Sequence, residues 1–411
     1  MHTTVVNYPG SITEPAVDPA LFPLDPDVVF LNHGSFGSCP LAVLEHQTEL
    51  RRRMERQPVR FLVRELEPLL DESRSVLAGF VGAQPDDLVL VPNATSGVNT
   101  VLRSIAFEPG DELLVTDHEY NACRNALDYV AGRTGAKVVV VKLPFPIDSA
   151  EEIGAAVLEK VTDRTRLLLI DHVTSQTGLV LPVAGIVRAL NERGIDTLVD
   201  GAHAPGMIPL NLDELGAAYY TGNCHKWICA PKGVALLHVR NARQDVVRPL
   251  TISHGANSLR DDRSRLQIEF GWAGTWDPTA MLCLPLAIDY MGGLLPGGWP
   301  EIMRRNRELA LAARRSICDT LGIPLPSPDE MIGSLSSIPI PDAANNEPPK
   351  SSLYLDTWQD ELMACHNIEV PIIPWPAPPK RLLRISAQLY NSLSQYELLA
   401  RGIKELMGRG K

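Results

Sequence analysis

DTLVDGAHAPG (residues 196–206) holds a short apolar run, a carboxylate that closes it and a turn punctuated by glycine and proline. A run this short and unbroken fits a strand buried on both faces, the kind that builds parallel sheets. Asp200 ends the run where a carboxylate is costly to bury without a partner, and His203 follows within one short turn. The stretch therefore asks for neighbouring strands on either side, and for a positively charged group that answers Asp200.

The strands are found by working outward. Apolar runs recur at LVLV (88–91), ELLVTD (112–117), KVVVVKL (137–143), RLLLIDHV (166–173), AAYYTG (217–222) and VALLHVR (234–240). Most are separated by stretches long enough for a helix, which is the pattern of βαβ units. The expectation is an α/β fold with a mostly parallel seven-stranded sheet and helices on both faces, in a large domain over residues 28–290. At MGGLLPGGWPE (291–301) the character changes. A charged helix (301–322) follows, then strands at SLSSIPI (334–340), SSLYL (351–355) and IEVPII (368–373), with a polar loop at 341–350 and a terminal helix at 394–408. With residues 1–27 these predict a smaller α+β domain. ELRRRMERQPVRFLVRELEPLL (49–70) reads as helix on either side of Pro58, its charges solvated or at a subunit contact.

Composition narrows the function classes. The 411 residues are 45% hydrophobic and 21% charged, with a net charge of −11. An acidic chain disfavours nucleic acid and anionic membrane as partners. Seven cysteines without a CxxC pair argue against a disulfide framework or a zinc site. MHTTVVNYPG lacks the form of a signal peptide, and no apolar run approaches the roughly eighteen residues of a membrane span. A soluble cytoplasmic protein without a metal is expected.

Ligands of open parallel sheets bind beyond the carboxyl ends of the strands. In NATSGVNTVLRS (93–104), Thr95 and Ser96 stand where a helix begins, either as plain caps or as part of an anion site. DHEYNACRN (117–125) offers Tyr120 as a face for a flat heterocycle or as packing. DHVTSQTG (171–178) places Asp171, His172, Thr174 and Ser175 at the same edge. TGNCHKWICAPKG (221–233) sets Lys226, 26 residues after Asp200, between residues that prefer to be inside. Burial lowers a lysine's pKa and frees the amine to form a Schiff base. Lysine, carboxylate, anion site and stacking aromatic together meet the needs of pyridoxal phosphate: an aldehyde to hold, a ring nitrogen to keep protonated, and a ring that accepts the electrons of a Cα carbanion.

VDGAHAPG (199–206), HKW (225–227) and LRISAQLYN (383–391) resemble the class V aminotransferase family, a branch of the fold-type I pyridoxal-phosphate enzymes. Within it, FLNHGSFGSCP (30–40), DHEYNA (117–122) and WAGTWDPT (272–279) are similar to the isopenicillin N epimerase-like group. The resemblance implies that Lys226 binds the cofactor's aldehyde, Asp200 pairs with the ring nitrogen, Tyr120 stacks on the ring and His203 sits near the phenolic oxygen. It implies a phosphate held by Thr95, Ser96, Asn223 and His225, with Ser175 also at the cofactor. Gly274 and Thr275 would reach the phosphate from a second subunit, so a homodimer with shared active sites is implied. Arg384 would pair with a substrate α-carboxylate, Arg381 being the nearby competitor, and Asn32 would meet the substrate; Trp375, in the proline-rich loop, either shapes the substrate pocket or packs. Relatives commonly read Ser-Gly where this chain has Asn223-Cys224. The loop PIIPWPAPPKRLL (371–383) lacks the nucleophilic cysteine of cysteine desulfurases, and Cys365 lies on the other side of the IEVPI strand.

The expected chemistry is deprotonation of an amino-acid Cα by Lys226. β-Elimination from a cysteine S-conjugate or its sulfoxide, giving pyruvate and ammonia, is the favoured outcome. Epimerisation, transamination and decarboxylation-linked oxidative deamination are the alternatives, with a non-catalytic binding protein as the contrasting class. Epimerisation calls for a second acid on the far face, which the sequence does not identify.

Overall fold

The computed structural model describes residues 12–344, 353 and 356–409. Its central sheet has seven strands: β1 (Leu88–Val91), β2 (Glu112–Thr116), β3 (Lys137–Val141), β4 (Thr165–Asp171), β5 (Asp196–Asp200), β6 (Tyr219–Asn223) and β7 (Ala235–Val239). They lie in the order β1-β7-β6-β5-β4-β2-β3. Each corresponds to one apolar run of the sequence. β3, β2, β4, β5 and β6 run parallel, whereas β7 is antiparallel to both β6 and β1. The exception has a simple cause. The β6–β7 connection carries Lys226 but no crossover helix, and a direct return reverses the strand.

Alternation along the strands explains why the runs are continuously apolar. Leu114, Leu168 and Val199 enter one buried cluster, while their neighbours Leu113, Leu167 and Leu198 enter another on the opposite face. Helix Val183–Asn191 covers the first face, and helices Ala94–Ser104 and Asn121–Thr134 cover the second. Among the described residues no single helix is long and apolar enough to cross a membrane.

A separate apolar core lies toward the C-terminus. It is built on an antiparallel sheet of β8 (Leu335–Ile340), β9 (Ile372–Pro374) and β10 (Arg381–Ser386), ordered β9-β10-β8. Helices Gly298–Leu321 and Leu393–Arg409 contribute to it. IEVPII does not form one strand. Ile368–Glu369 pairs with Val29–Phe30, and Ile372–Pro374 pairs with β10. Pro371, which has no N–H to give a ladder, sits at the break. The strand expected at SSLYL lies outside the described residues apart from Leu353, which is in a turn. The helix around Pro58 is interrupted: Leu41–Arg56 and Leu66–Val81 flank Pro58–Arg60 and a π turn at Phe61–Glu65.

Candidate active site

A cavity of about 440 Å³ opens beyond the carboxyl ends of β2, β4 and β6. Tyr120, Ser175 and Lys226 line it from the central sheet, and Asn32, Glu369 and Arg384 from the other elements. Its size is that of a small-molecule site.

The backbone holding Lys226 is wedged in place. Gly37 (φ +69°) and Gly206 (φ +87°) pack so closely on residues 225–228 that a Cβ on either would collide with main-chain atoms. His33 is fully buried; its Nε2 bonds the Lys226 carbonyl at 2.9 Å and its Nδ1 the Tyr390 hydroxyl at 2.7 Å. The carbonyl can only accept, so Nε2 carries the proton and the tyrosine donates to Nδ1. Cys229, three residues on, adopts φ +61°, a conformation that costs a side-chain-bearing residue energy.

The Lys226 amine lies 3.0 Å from His203 Nε2, and the Trp227 indole N–H donates to His203 Nδ1 at 3.4 Å. With Nδ1 accepting, a neutral imidazole has its proton on Nε2, which can donate to the Lys226 amine only in that amine's unprotonated form. Burial first, then the neighbouring positive charge of Lys226, holds His203 well below its ordinary range, which favours that neutral form. Burial, followed by the charge of Arg384, pushes Lys226 down to about 8. About a tenth of the amine is then unprotonated at pH 7.

Asp200 is 1% exposed; it accepts from the Cys123 thiol at 3.1 Å and from the Ala202 amide at 2.9 Å. Burial raises its pKa, so an added positive charge would relieve it. Beyond the end of β1, Asn93 caps helix Ala94–Ser104 by accepting from the Ser96 amide at 2.8 Å. Asn223 accepts from the Ala94 amide at 2.9 Å, so its oxygen serves the helix start and its amide nitrogen is the donor left for an anion. Thr95 and Ser96 are half-buried there. His225 Nδ1 is buried without a hydrogen-bond partner, the kind of atom a bound group satisfies.

Arg384, 4% exposed, donates to the Ser175 carbonyl at 2.7 Å and the Ser35 hydroxyl at 2.7 Å. Ser35 donates to Asn32 Oδ1 at 2.5 Å, and Asn32 Nδ2 donates to Glu369 at 3.1 Å. Arg381 does not line the cavity. It is committed to Asp356 at 2.9 Å and lies 3.9 Å over the Trp358 ring.

Two expectations end up elsewhere. Trp375 is not part of the cavity wall; it packs edge-on against His118 (4.7 Å) and Phe145 (5.5 Å), so it acts as packing for the loop. Gly274 and Thr275 line a different hollow of about 360 Å³, which they share with Ser96 and Thr100.

The aminotransferase class-V family model matches residues 38–399. The chain belongs to the class-V aminotransferase family. It is 36% identical to isopenicillin N epimerase of Amycolatopsis lactamdurans, over 93% of this chain and 96% of that one. It is 32% identical to a probable chloroplastic L-cysteine desulfhydrase of Arabidopsis thaliana, over 98% of this chain and 88% of the relative. A solved structure of a C-DES variant with glycine covalently linked to its pyridoxal-phosphate cofactor superposes with a TM-score of 0.75 at 22% identity, covering 94% of this chain and 99% of the other. That likeness carries the fold.

The residues present fit pyridoxal phosphate, the cofactor of this class-V family member. The orphaned His225 nitrogen and the helix start at Ala94 suit its phosphate, the buried Asp200 its ring nitrogen, and the weakly basic Lys226 its aldehyde. Sequence reasoning passed over His33, Ser35, Cys123, Glu119 and Glu369. His33 and Ser35 lie inside FLNHGSFGSCP and Glu119 beside Tyr120, so the motif residues were in view, but their contacts are not local.

Proposed function

We propose that this chain is a pyridoxal-phosphate-dependent carbon–sulfur lyase that removes the Cα proton of a cysteine S-conjugate, or its sulfoxide, and eliminates the sulfur from Cβ. The observation that carries the reading is a lysine amine of lowered basicity facing one cavity with a buried arginine. The similarity to an L-cysteine desulfhydrase along nearly the whole chain supports the choice of elimination.

Each residue has a task in this scheme. Arg384 binds the substrate α-carboxylate, and Ser35 and Ser175 hold its guanidinium in place. Lys226 Nζ takes the Cα proton, with His203 orienting the amine. Asp200 keeps a negative charge where the ring nitrogen docks. Tyr120 lies on the cavity wall beside the ring's position, and Thr95, Ser96, Asn223 and His225 receive the phosphate. Bound pyridoxal phosphate supplies the electron sink that makes the Cα–H bond acidic. As the C–S bond breaks, its electron pair leaves on sulfur, and the aminoacrylate released hydrolyses to pyruvate and ammonia.

A homodimer belongs to the same proposal. Gly274 and Thr275 lie away from the Lys226 cavity, on a hollow they share with Ser96, and by the family resemblance this segment would reach the phosphate from the second subunit. Epimerisation is the second reading. It is favoured by the epimerase similarity and by Glu369, an acidic side chain on the same cavity wall that provides a second proton carrier.

The deciding experiment is incubation of the loaded protein in heavy water with an S-substituted L-cysteine and its sulfoxide, followed by proton NMR. Pyruvate with loss of the β-protons supports elimination. Cα exchange with intact β-carbons and appearance of the D-isomer replaces it with epimerisation.

A further inference from the structure

Three carboxyl groups converge beneath the cavity, brought together by the sheet. Asp171 and Asp200 end the neighbouring parallel strands β4 and β5 in matching register, so both side chains emerge on one face. Glu119 follows β2, on the other side of β4, and a carboxyl oxygen of it lies within 4.8 Å of both the Asp200 carboxyl and the Cys123 thiol. Glu119, Asp171 and Asp200 are 5%, 2% and 1% exposed.

The three are not equivalent. Asp200 accepts two hydrogen bonds from outside the acids, whereas Glu119 meets only the Tyr120 amide and the Asp171 carboxyl, and Oδ2 of Asp171 meets no donor outside the cluster. The groups facing Glu119 are the carboxyls of Asp171 and Asp200 and the Tyr120 amide, and Cys123 faces all three acids. The cation bearing on Asp171 and Asp200 is Lys226. Adjacent carboxylates in a low-dielectric interior do not all ionise, and a carboxyl whose side-chain neighbours are other carboxyls is satisfied when it carries the proton itself. Burial, reinforced by the neighbouring acids, pushes Glu119 and Asp171 well above the usual carboxyl range.

We propose that Glu119 and Asp171 form an acid pair behind Asp200 in which both carboxyls keep their protons, confining the cluster's negative charge to Asp200. The functional consequence rests on the reading of Asp200 as the partner of the cofactor's ring nitrogen. Glu119 and Asp171 are then positioning residues: by staying protonated they leave Asp200 as the single anion available to that nitrogen, instead of a member of a carboxylate trio sharing its charge.

The test is difference infrared spectroscopy of the full-length protein, with and without pyridoxal phosphate, comparing wild type with Glu119→Gln across pH 6 to 9. A protonated-carboxyl C=O band persists at pH 7 and above in the wild type and is weakened, by the share of one carboxyl, in the variant. Absence of that band at neutral pH overturns the pair. The second readout is the pH at which the bound cofactor's absorption band changes. Gln replaces a neutral acid by a neutral amide, so the midpoint stays within a few tenths of a unit. If Glu119 were ionised, removing a charge at that separation would move the midpoint by about two units, and the proposal would fail. Asp171→Asn provides the same comparison if Glu119→Gln does not fold. Protein that takes up no pyridoxal phosphate would sink the functional reading, while the infrared band still decides the pair.

Discussion

Replacing Lys226 by methionine should make the cofactor-free protein more stable at neutral pH, by an amount that fades as the pH rises. Lysine ordinarily titrates at 10.5, and burial with the nearby Arg384 charge lowers Lys226 to about 8. Between those values the unfolded chain binds a proton that the folded chain does not. Stability of the wild type therefore rises with pH from about 8 to about 10.5, and below 8 it carries the full cost of a buried cation. The shift of about 2.5 units corresponds to a ceiling of about 3 kcal/mol, lowered by whatever solvent the amine meets through the cavity. A methionine side chain has no proton to bind, so the variant lacks this dependence. Urea denaturation of both cofactor-free proteins at pH 7, 8, 9 and 10 reads the effect as a difference, in which the titrating groups that do not feel the Lys226 charge cancel. The advantage of Lys226→Met should be constant up to pH 8 and shrink above it. A difference that does not change with pH would falsify the assignment of Lys226 as a buried amine of lowered basicity.

Arg384→Gln should raise the substrate KM about 10- to 100-fold, through loss of a charge-assisted pair, with a smaller change in kcat; an unchanged KM removes Arg384 from the carboxylate site. The same variant takes away a positive charge that helps hold Lys226 down, so the midpoint for capture of pyridoxal phosphate by cofactor-free protein should move above about 8 when followed by absorbance. His33→Ala should destabilise the fold by about 3–5 kcal/mol in urea titrations, because it leaves the Lys226 carbonyl and the Tyr390 hydroxyl buried without their partner. A loss below about 1 kcal/mol would show that the loop finds other donors. Gly37→Ala should slow cofactor capture, since φ +69° and a collision with the His225 carbonyl both oppose a Cβ there; wild-type capture kinetics would count against that close approach.

The sequence by itself determined the sheet and the main chemistry of the site. Most strands are short runs rich in Val, Leu and Ile, too short for a helix and apolar on both faces, so LVLV or KVVVV had few other places to go. Lys226 and Asp200 were legible for a related reason: a charged group at the end of a buried strand is anomalous wherever the strand ends up. Arg384 was favoured over Arg381 by resemblance; in the structure Arg381 is taken up by Asp356 and Trp358, and Arg384 faces the cavity.

Only the tertiary structure decided which distant groups meet. His33 reaches Lys226 across 193 residues, and the Glu119–Asp171–Asp200 cluster depends on β4 lying between β2 and β5, a strand order that apolar periodicity does not encode. Trp375 shows the same limit from the other side. An aromatic residue in a proline-rich loop fits a pocket wall or a packing contact equally well by composition, and the positions of His118 and Phe145 settle it as packing. Hydrophobic pattern is a property of neighbours along the chain, whereas partner identity is a property of neighbours in space, and strand order is what connects the two.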